Sequence, residues 1–299
     1  MDRRKFIRNT VLFSLLSLAT INGVKLYKNA LSKNQNSEEK FLSYIEVHLA
    51  DHCNLNCKYC CHFSPIAEEH FYDKKMFTKD MKQLAKITNG NIKEIRLMGG
   101  EPLLNPDINK YMKITRQLFS KSKIYLVTNG ILLPKMDNAF WTTLRTNNII
   151  INPSIYKINI DWHKIYKKAN EENVVIFIPE DEIKNVEVTH FYKSNLDLTG
   201  SQKNLLKFID CGEYYNLYEG KIYICPVVAY IKYFNKRFNK NLKPSNTDYV
   251  DIYKTKNIED ILNWSKQPKN FCKYCGDNKP LLPWESSMQH TIDEWLKTE

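Results

Sequence analysis

The sequence predicts an α/β fold built on a parallel sheet, followed by a smaller cysteine-rich segment. Two observations predict it. β-type runs alternate with helical patterns through the first two thirds of the chain, and eight cysteines fall into two separate groups. With 299 residues, 43% hydrophobic and 26% charged, the chain can bury a core and is not a disordered polymer. No apolar run reaches the ~20 residues of a bilayer span. The longest, residues 11–24, is broken by Ser14, Ser17, Thr20, Asn22 and Gly23, which excludes a polytopic membrane protein.

Of the net charge of +11, residues 1–40 carry +5, from eight Lys/Arg against three acids. The remaining lysines are scattered and form no basic stripe interleaved with aromatics, so no nucleic-acid partner is expected. The chain opens Asp2-Arg3-Arg4-Lys5-Phe6-Ile7-Arg8 before its apolar stretch, which resembles a twin-arginine export signal. No small-x-small cleavage site precedes Lys33, and Lys25 and Lys28 follow the apolar run closely. A basic leader that tethers the chain to a membrane is therefore the other reading.

From residue 44 the elements follow in order. Residues 44–49 read as a strand and lead into a cysteine loop. Residues 78–88 form a helix with Thr78 as N-cap, 94–98 a strand, and 107–119 a helix introduced by Asn105-Pro106. Residues 123–128 form a strand closed by Asn129-Gly130, and 134–146 are helical. Residues 148–152 are β-rich, 162–172 helical, and 174–178 β-type again. Strands and helices at this spacing make right-handed βαβ units, whose functional residues collect at the C-terminal ends of the strands. After residue 202 the pattern changes, and residues 214–218 and 221–224 read as a β-hairpin turning at Gly220.

Clustered cysteines in a long α/β chain point to metal or redox chemistry rather than a disulfide framework. Cys53, Cys57 and Cys60 stand as C-x3-C-x2-C in one loop. A zinc ion would need a fourth ligand from His52, His62 or Cys61. An iron–sulfur cubane normally takes four cysteines, so three would leave one iron open to a non-protein ligand. Downstream, Gly99-Gly100-Glu101-Pro102 ends a strand, where paired glycines let the backbone come close to a ligand and bind its charged end; a tight strand-to-helix turn is the plainer account.

These two motifs together resemble the radical S-adenosylmethionine (radical SAM) superfamily. The resemblance implies a partial (β/α)6 barrel over residues 41–205, with a [4Fe-4S] cluster on Cys53, Cys57 and Cys60 and SAM on its open iron. It implies Tyr59 as the aromatic before the last cysteine and Gly99, Gly100, Glu101 and Pro102 at the SAM amino group. Asn129 and Ser154 are SAM contacts by position, although each is also an ordinary turn residue. The family's glycine-rich adenine motif is not recognisable around residues 174–179.

The later cysteines, Cys211, Cys225, Cys272 and Cys275, make one full cluster complement, and residues 206–299 resemble the twitch domain, the smaller relative of the SPASM domain. That implies a second, auxiliary [4Fe-4S] cluster; a structural four-cysteine zinc site uses the same ligands. Cys61 reads as structural, or as a nearby hydrogen or electron donor. His48, His70, His163, His190 and His290 show no paired spacing that would license a catalytic role.

The expected activity is reductive cleavage of SAM to a 5′-deoxyadenosyl radical, which takes hydrogen from a small, carbohydrate-like substrate for oxidation or rearrangement. A peptide or protein maturase is the runner-up, a zinc-stabilised binding protein is the reading from another class, and a simple electron carrier is disfavoured by the three-cysteine loop. The expected electron donor is of low potential, such as flavodoxin or ferredoxin. A cytoplasmic catalytic domain, membrane-associated through residues 1–40, is the expected location, with export the alternative.

Overall fold

The run 42–50 forms the first strand, β1 (Leu42–Ala50), whose Ile45, Val47 and Leu49 are fully buried. These side chains pack with Phe77, Met81 and Leu84 of helix α1 (Lys74–Thr88), which lie on one helical face. The structure is a computed structural model that describes residues 40–212, 214–276 and 279–297, with Asp210 and Cys211 by backbone alone. The leader and its twin-arginine reading thus lie outside the described residues, apart from Lys40. Among the described residues, no helix is long and apolar enough to cross a membrane.

The alternation continues through β2 (Ile92–Gly99), α2 (Ile108–Leu118), β3 (Lys123–Thr128), α3 (Asn138–Thr146), β4 (Ile149–Pro153) and α4 (Trp162–Glu171). There follow β5 (His190–Tyr192), α5 (Phe208–Cys211), β6 (Asn216–Tyr218), β7 (Lys221–Tyr223), α6 (Pro226–Phe238), β8 (Tyr249–Asp251), α7 (Ile258–Ser265) and β9 (Leu281–Pro283). The main sheet has the order β4-β3-β2-β1-β6-β7-β8. β1 to β4 and β6 run parallel, while β7 and β8 add antiparallel. The expected α/β fold with a parallel sheet is therefore present.

The expected strand over 174–178 is reduced to one parallel bridge, Ile151 to Ile176, and a second bridge joins Tyr156 to Val188. These bridges continue the curl past β4 without closing a barrel. The hairpin forms as expected, with Gly220 in its turn, and β6 extends the parallel sheet across the expected boundary at residue 205. Residues 41–299 make one compact unit.

Two helix starts differ from the sequence expectation. α1 begins at Lys74, capped by Asp73, whose carboxylate accepts from the Met76 N–H (2.9 Å); Thr78 is interior and its hydroxyl donates to the Lys74 carbonyl. α3 begins at Asn138, because Leu133–Lys135 forms a separate 3-10 turn and Asp137 caps the helix by accepting from Phe140 N–H. A second apolar cluster joins α6, through Val228, Tyr230 and Phe234, to Phe63 of the cysteine loop and Trp295.

Candidate active site

The C-terminal ends of β1 to β4 put the cysteine loop, the Gly-Gly turn, Asn129 and Ser154 at one edge of the sheet. The loop is held from beneath by Asp51, which is almost fully buried. It is bonded to His48 Nδ1 (3.2 Å) and His70 Nδ1 (2.7 Å), and it accepts from the hydroxyls of Tyr218 (3.0 Å) and Tyr233. Burial alone would raise the Asp51 pKa, but the bonds from His48, His70 and Tyr233 hold it well below the ordinary range. Burial lowers His48 to about 4, and its ring stacks on Tyr230 at 3.8 Å. The fold thus brings His48 and His70 to one carboxylate, a pairing that their sequence spacing hides.

Gly99 and Gly100 clamp β2 against the start of the loop. The Gly100 N–H donates to the Ala50 carbonyl (2.9 Å) and the Glu101 N–H to the His52 carbonyl (3.1 Å). A Cβ at Gly99 would sit 2.0 Å from the Ala50 oxygen, and one at Gly100 would sit 2.3 Å from the His52 oxygen. The first role of the paired glycines is therefore backbone approach to the cysteine loop. Glu101 is fully buried and accepts from Leu103 N–H (3.0 Å), Thr128 hydroxyl (2.7 Å) and Asn129 N–H (2.9 Å), tying this turn to the end of β3. Burial raises it to about 7 against those three donors.

The three loop thiols have different surroundings. Burial pushes Cys53 well above its ordinary value and nearby Glu101 adds to the shift; Asn129 Nδ2 lies 3.7 Å from its sulfur. Burial pushes Cys57 up to about 12, while the Trp284 indole N–H, donating to its sulfur at 3.2 Å, pulls the other way. For Cys60, burial opposes the thiolate, but the hydrogen bond and charge of His62 outweigh it and hold the thiol below its ordinary value. His62 also lies 3.6 Å from the buried Glu46. Tyr59 and Phe63 adopt left-handed backbone (φ 66° and 56°), which turns the chain sharply on either side of Cys60.

Cys53, Cys57 and Cys60 open onto a cavity of about 730 Å³, within the roughly 300–1,000 Å³ of small-molecule sites. Tyr59, Gly99, Gly100, Asn129 and Ser154 line it; Glu101 and Pro102 do not. Cys61 lines it as well, with its sulfur 3.6 Å from His62 Nδ1. Cys225, Cys272 and Cys275 line the same cavity. Cys225 precedes α6 and is pushed up to about 12 by burial and then by Cys275, with Lys279 opposing. Cys275 N–H donates to Cys272 carbonyl (3.0 Å), which makes a tight turn between the two cysteines. Cys211 ends α5, and its side chain lies outside the described residues. Among the described residues, no three His, Cys, Asp or Glu side chains are gathered closely enough for a single ion.

Three thiols on one loop, beside an open cavity that two glycines also line, fit a cluster that keeps one iron for a small-molecule ligand. A parallel α/β sheet with that loop at its C-terminal edge defines an enzyme of cluster-bound cofactor chemistry. The profile of the Radical SAM superfamily matches residues 47–178, so this segment of the chain carries a radical SAM domain. The family implies a [4Fe-4S] cluster and SAM.

Over 130 residues the chain is 28% identical to GTP 3′,8-cyclase of Petrotoga mobilis, covering 44% of this chain and 39% of that protein. Over 97 residues it is 36% identical to GTP 3′,8-cyclase of Clostridium acetobutylicum, covering 32% and 30%. The matched segments thus span well under half the length of these two relatives. The crystal structure of BtrN in complex with AdoMet and 2-DOIA aligns with a TM-score of 0.48 at 16% identity, over 80% of this chain and 94% of that one.

Sequence reasoning missed Trp284, and it missed Lys193 and Lys279 in the cavity lining. Trp284 stands 227 residues from Cys57, and nothing in its local pattern marks it. His62, two residues after Cys60, carried a signal in its position, where the sequence offered it with His52 and Cys61 as a fourth ligand for a zinc ion.

Proposed function

We propose that this chain is a radical SAM oxidoreductase acting on a small polar molecule, with an auxiliary [4Fe-4S] cluster on Cys211, Cys225, Cys272 and Cys275. The observation that carries this reading is a cavity lined both by Cys53, Cys57 and Cys60 and by Cys225, Cys272 and Cys275. When bound, the two clusters and SAM supply a 5′-deoxyadenosyl radical by one-electron cleavage and, at the auxiliary site, an acceptor for the electron that the substrate radical gives up. A flavodoxin or ferredoxin supplies the cleaving electron.

The protein's own part is positioning. Gly99 and Gly100 fix the loop, Asn129 and Ser154 offer polar groups to SAM, and Tyr156 closes the wall beside the loop cysteines. Lys193 and Ser194 are 5% and 6% exposed and both line the cavity, which favours a substrate bearing hydroxyl or anionic groups. A nucleotide falls within that class, and two of the relatives are named for GTP. The test is iron, sulfide and zinc per chain in anaerobically purified wild type and in a Cys225/Cys272/Cys275 triple alanine variant. About eight irons falling to about four supports the reading, whereas about four irons with one zinc in the wild type would contradict the auxiliary cluster.

A further inference from the structure

The last residues of the chain run back across the outer side of the cysteine loop. Beyond β9, Lys58 N–H donates to the Glu285 carbonyl (2.9 Å) and Ser287 N–H to the Asn56 carbonyl (2.8 Å), so Cys57 and Ser286 pair as an antiparallel bridge. Lys58 Nζ and Glu285 Oε2 close at 2.6 Å. Within this strap the Trp284 indole N–H donates to Cys57 Sγ at 3.2 Å, and its ring rests on Tyr156 at 5.4 Å between centroids. Farther on, the Trp295 indole donates to the Cys60 carbonyl at 2.9 Å. Both tryptophans meet the loop, but only Trp284 meets a sulfur.

An indole N–H is a donor with no acceptor capacity, so the bond has one polarity. Its dipole stabilises negative charge on the sulfur. A cluster gains one negative charge on reduction, so such a donor favours the reduced form more than the oxidised one. Hydrogen bonds to cluster sulfurs are among the levers that set iron–sulfur potentials.

We propose that Trp284 is a positioning residue of the SAM-cleaving centre: its N–H bond to Cys57 raises the cluster's reduction potential, so the C-terminal strap sets how readily that cluster accepts its electron. This rests on Cys57 being a cluster ligand, as the family implies.

The test uses the full chain with its clusters assembled. Trp284→Phe keeps an aromatic ring against Tyr156 and deletes the N–H, along with the five-membered half of the indole. Trp295→Phe loosens the same strap by deleting a bond to a carbonyl. The readouts are iron content and the midpoint of the paramagnetic signal that changes when SAM is added, followed by potentiometric titration. In W284F we expect unchanged iron and about a tenfold fall in the reduced-to-oxidised ratio at a fixed potential, equivalent to about 59 mV for one electron. W295F should leave the midpoint in place. An unshifted midpoint in iron-loaded W284F overturns the proposal, as does loss of the iron from W284F, and so does an equal shift in W295F. Wild-type protein that assembles no SAM-responsive cluster would instead defeat the family's cluster assignment.

Discussion

Gly100 and Glu101 carry the site at the scale of single residues. A methyl group at Gly100 would meet the His52 carbonyl at 2.3 Å, a backbone atom that cannot swing away. Gly100→Ala should therefore destabilise the fold by about 1–3 kcal/mol, as overpacking does, and reduce iron loading, both readable by denaturant titration and iron analysis. Glu101 has its pKa raised to about 7 by burial, so the folded state binds a proton that the unfolded state releases near 4.5. Its contribution to stability is thus full below about 4.5 and is lost as pH rises through about 7. Comparing wild type with Glu101→Gln should show the wild type losing stability relative to the variant across that window; parallel curves would refute the assignment. The GGEP turn was legible from its residues. Its clamp on the loop was not, because it depends on β1 and β2 lying side by side.

At the scale of elements, the apolar rhythm gave every helix of the first two thirds, and the errors fell at their starts. Thr78 directly follows Phe77, the first buried position of α1, which made it look like a cap; Asp73 lies a full turn earlier, before two exposed lysines. Asp73→Ala should cost about 1 kcal/mol in the denaturation midpoint, while Thr78→Ala should cost much less. Helix α6 was not legible. Its Val227-Val228 opening reads as strand, and the helix forms because Pro226 suits the first turn and because Val228, Tyr230 and Phe234 are buried against Phe63 and Trp295. Phe234→Ala should remove about 3–5 kcal/mol and loosen the cysteine loop through Phe63, seen as faster exchange of the loop amides.

At the scale of the whole molecule, the cysteines were countable from the sequence, but their convergence on one cavity was not. It requires β6 to pair with β1, which carries the hairpin and Cys225 to the edge where Cys53, Cys57 and Cys60 emerge. It also requires the segment after Cys275 to return over the loop, through contacts more than two hundred residues apart in the chain. Sheet topology therefore brings the radical SAM domain and the C-terminal cysteine segment to one cavity.

The most direct test of that account is the yield of 5′-deoxyadenosine from SAM after reduction with dithionite, measured for wild type and for the Cys53/Cys57/Cys60 triple alanine variant. The account predicts SAM-dependent 5′-deoxyadenosine from the wild type and none above background from the variant. Equal yields from both, or none from an iron-loaded wild type, would contradict it.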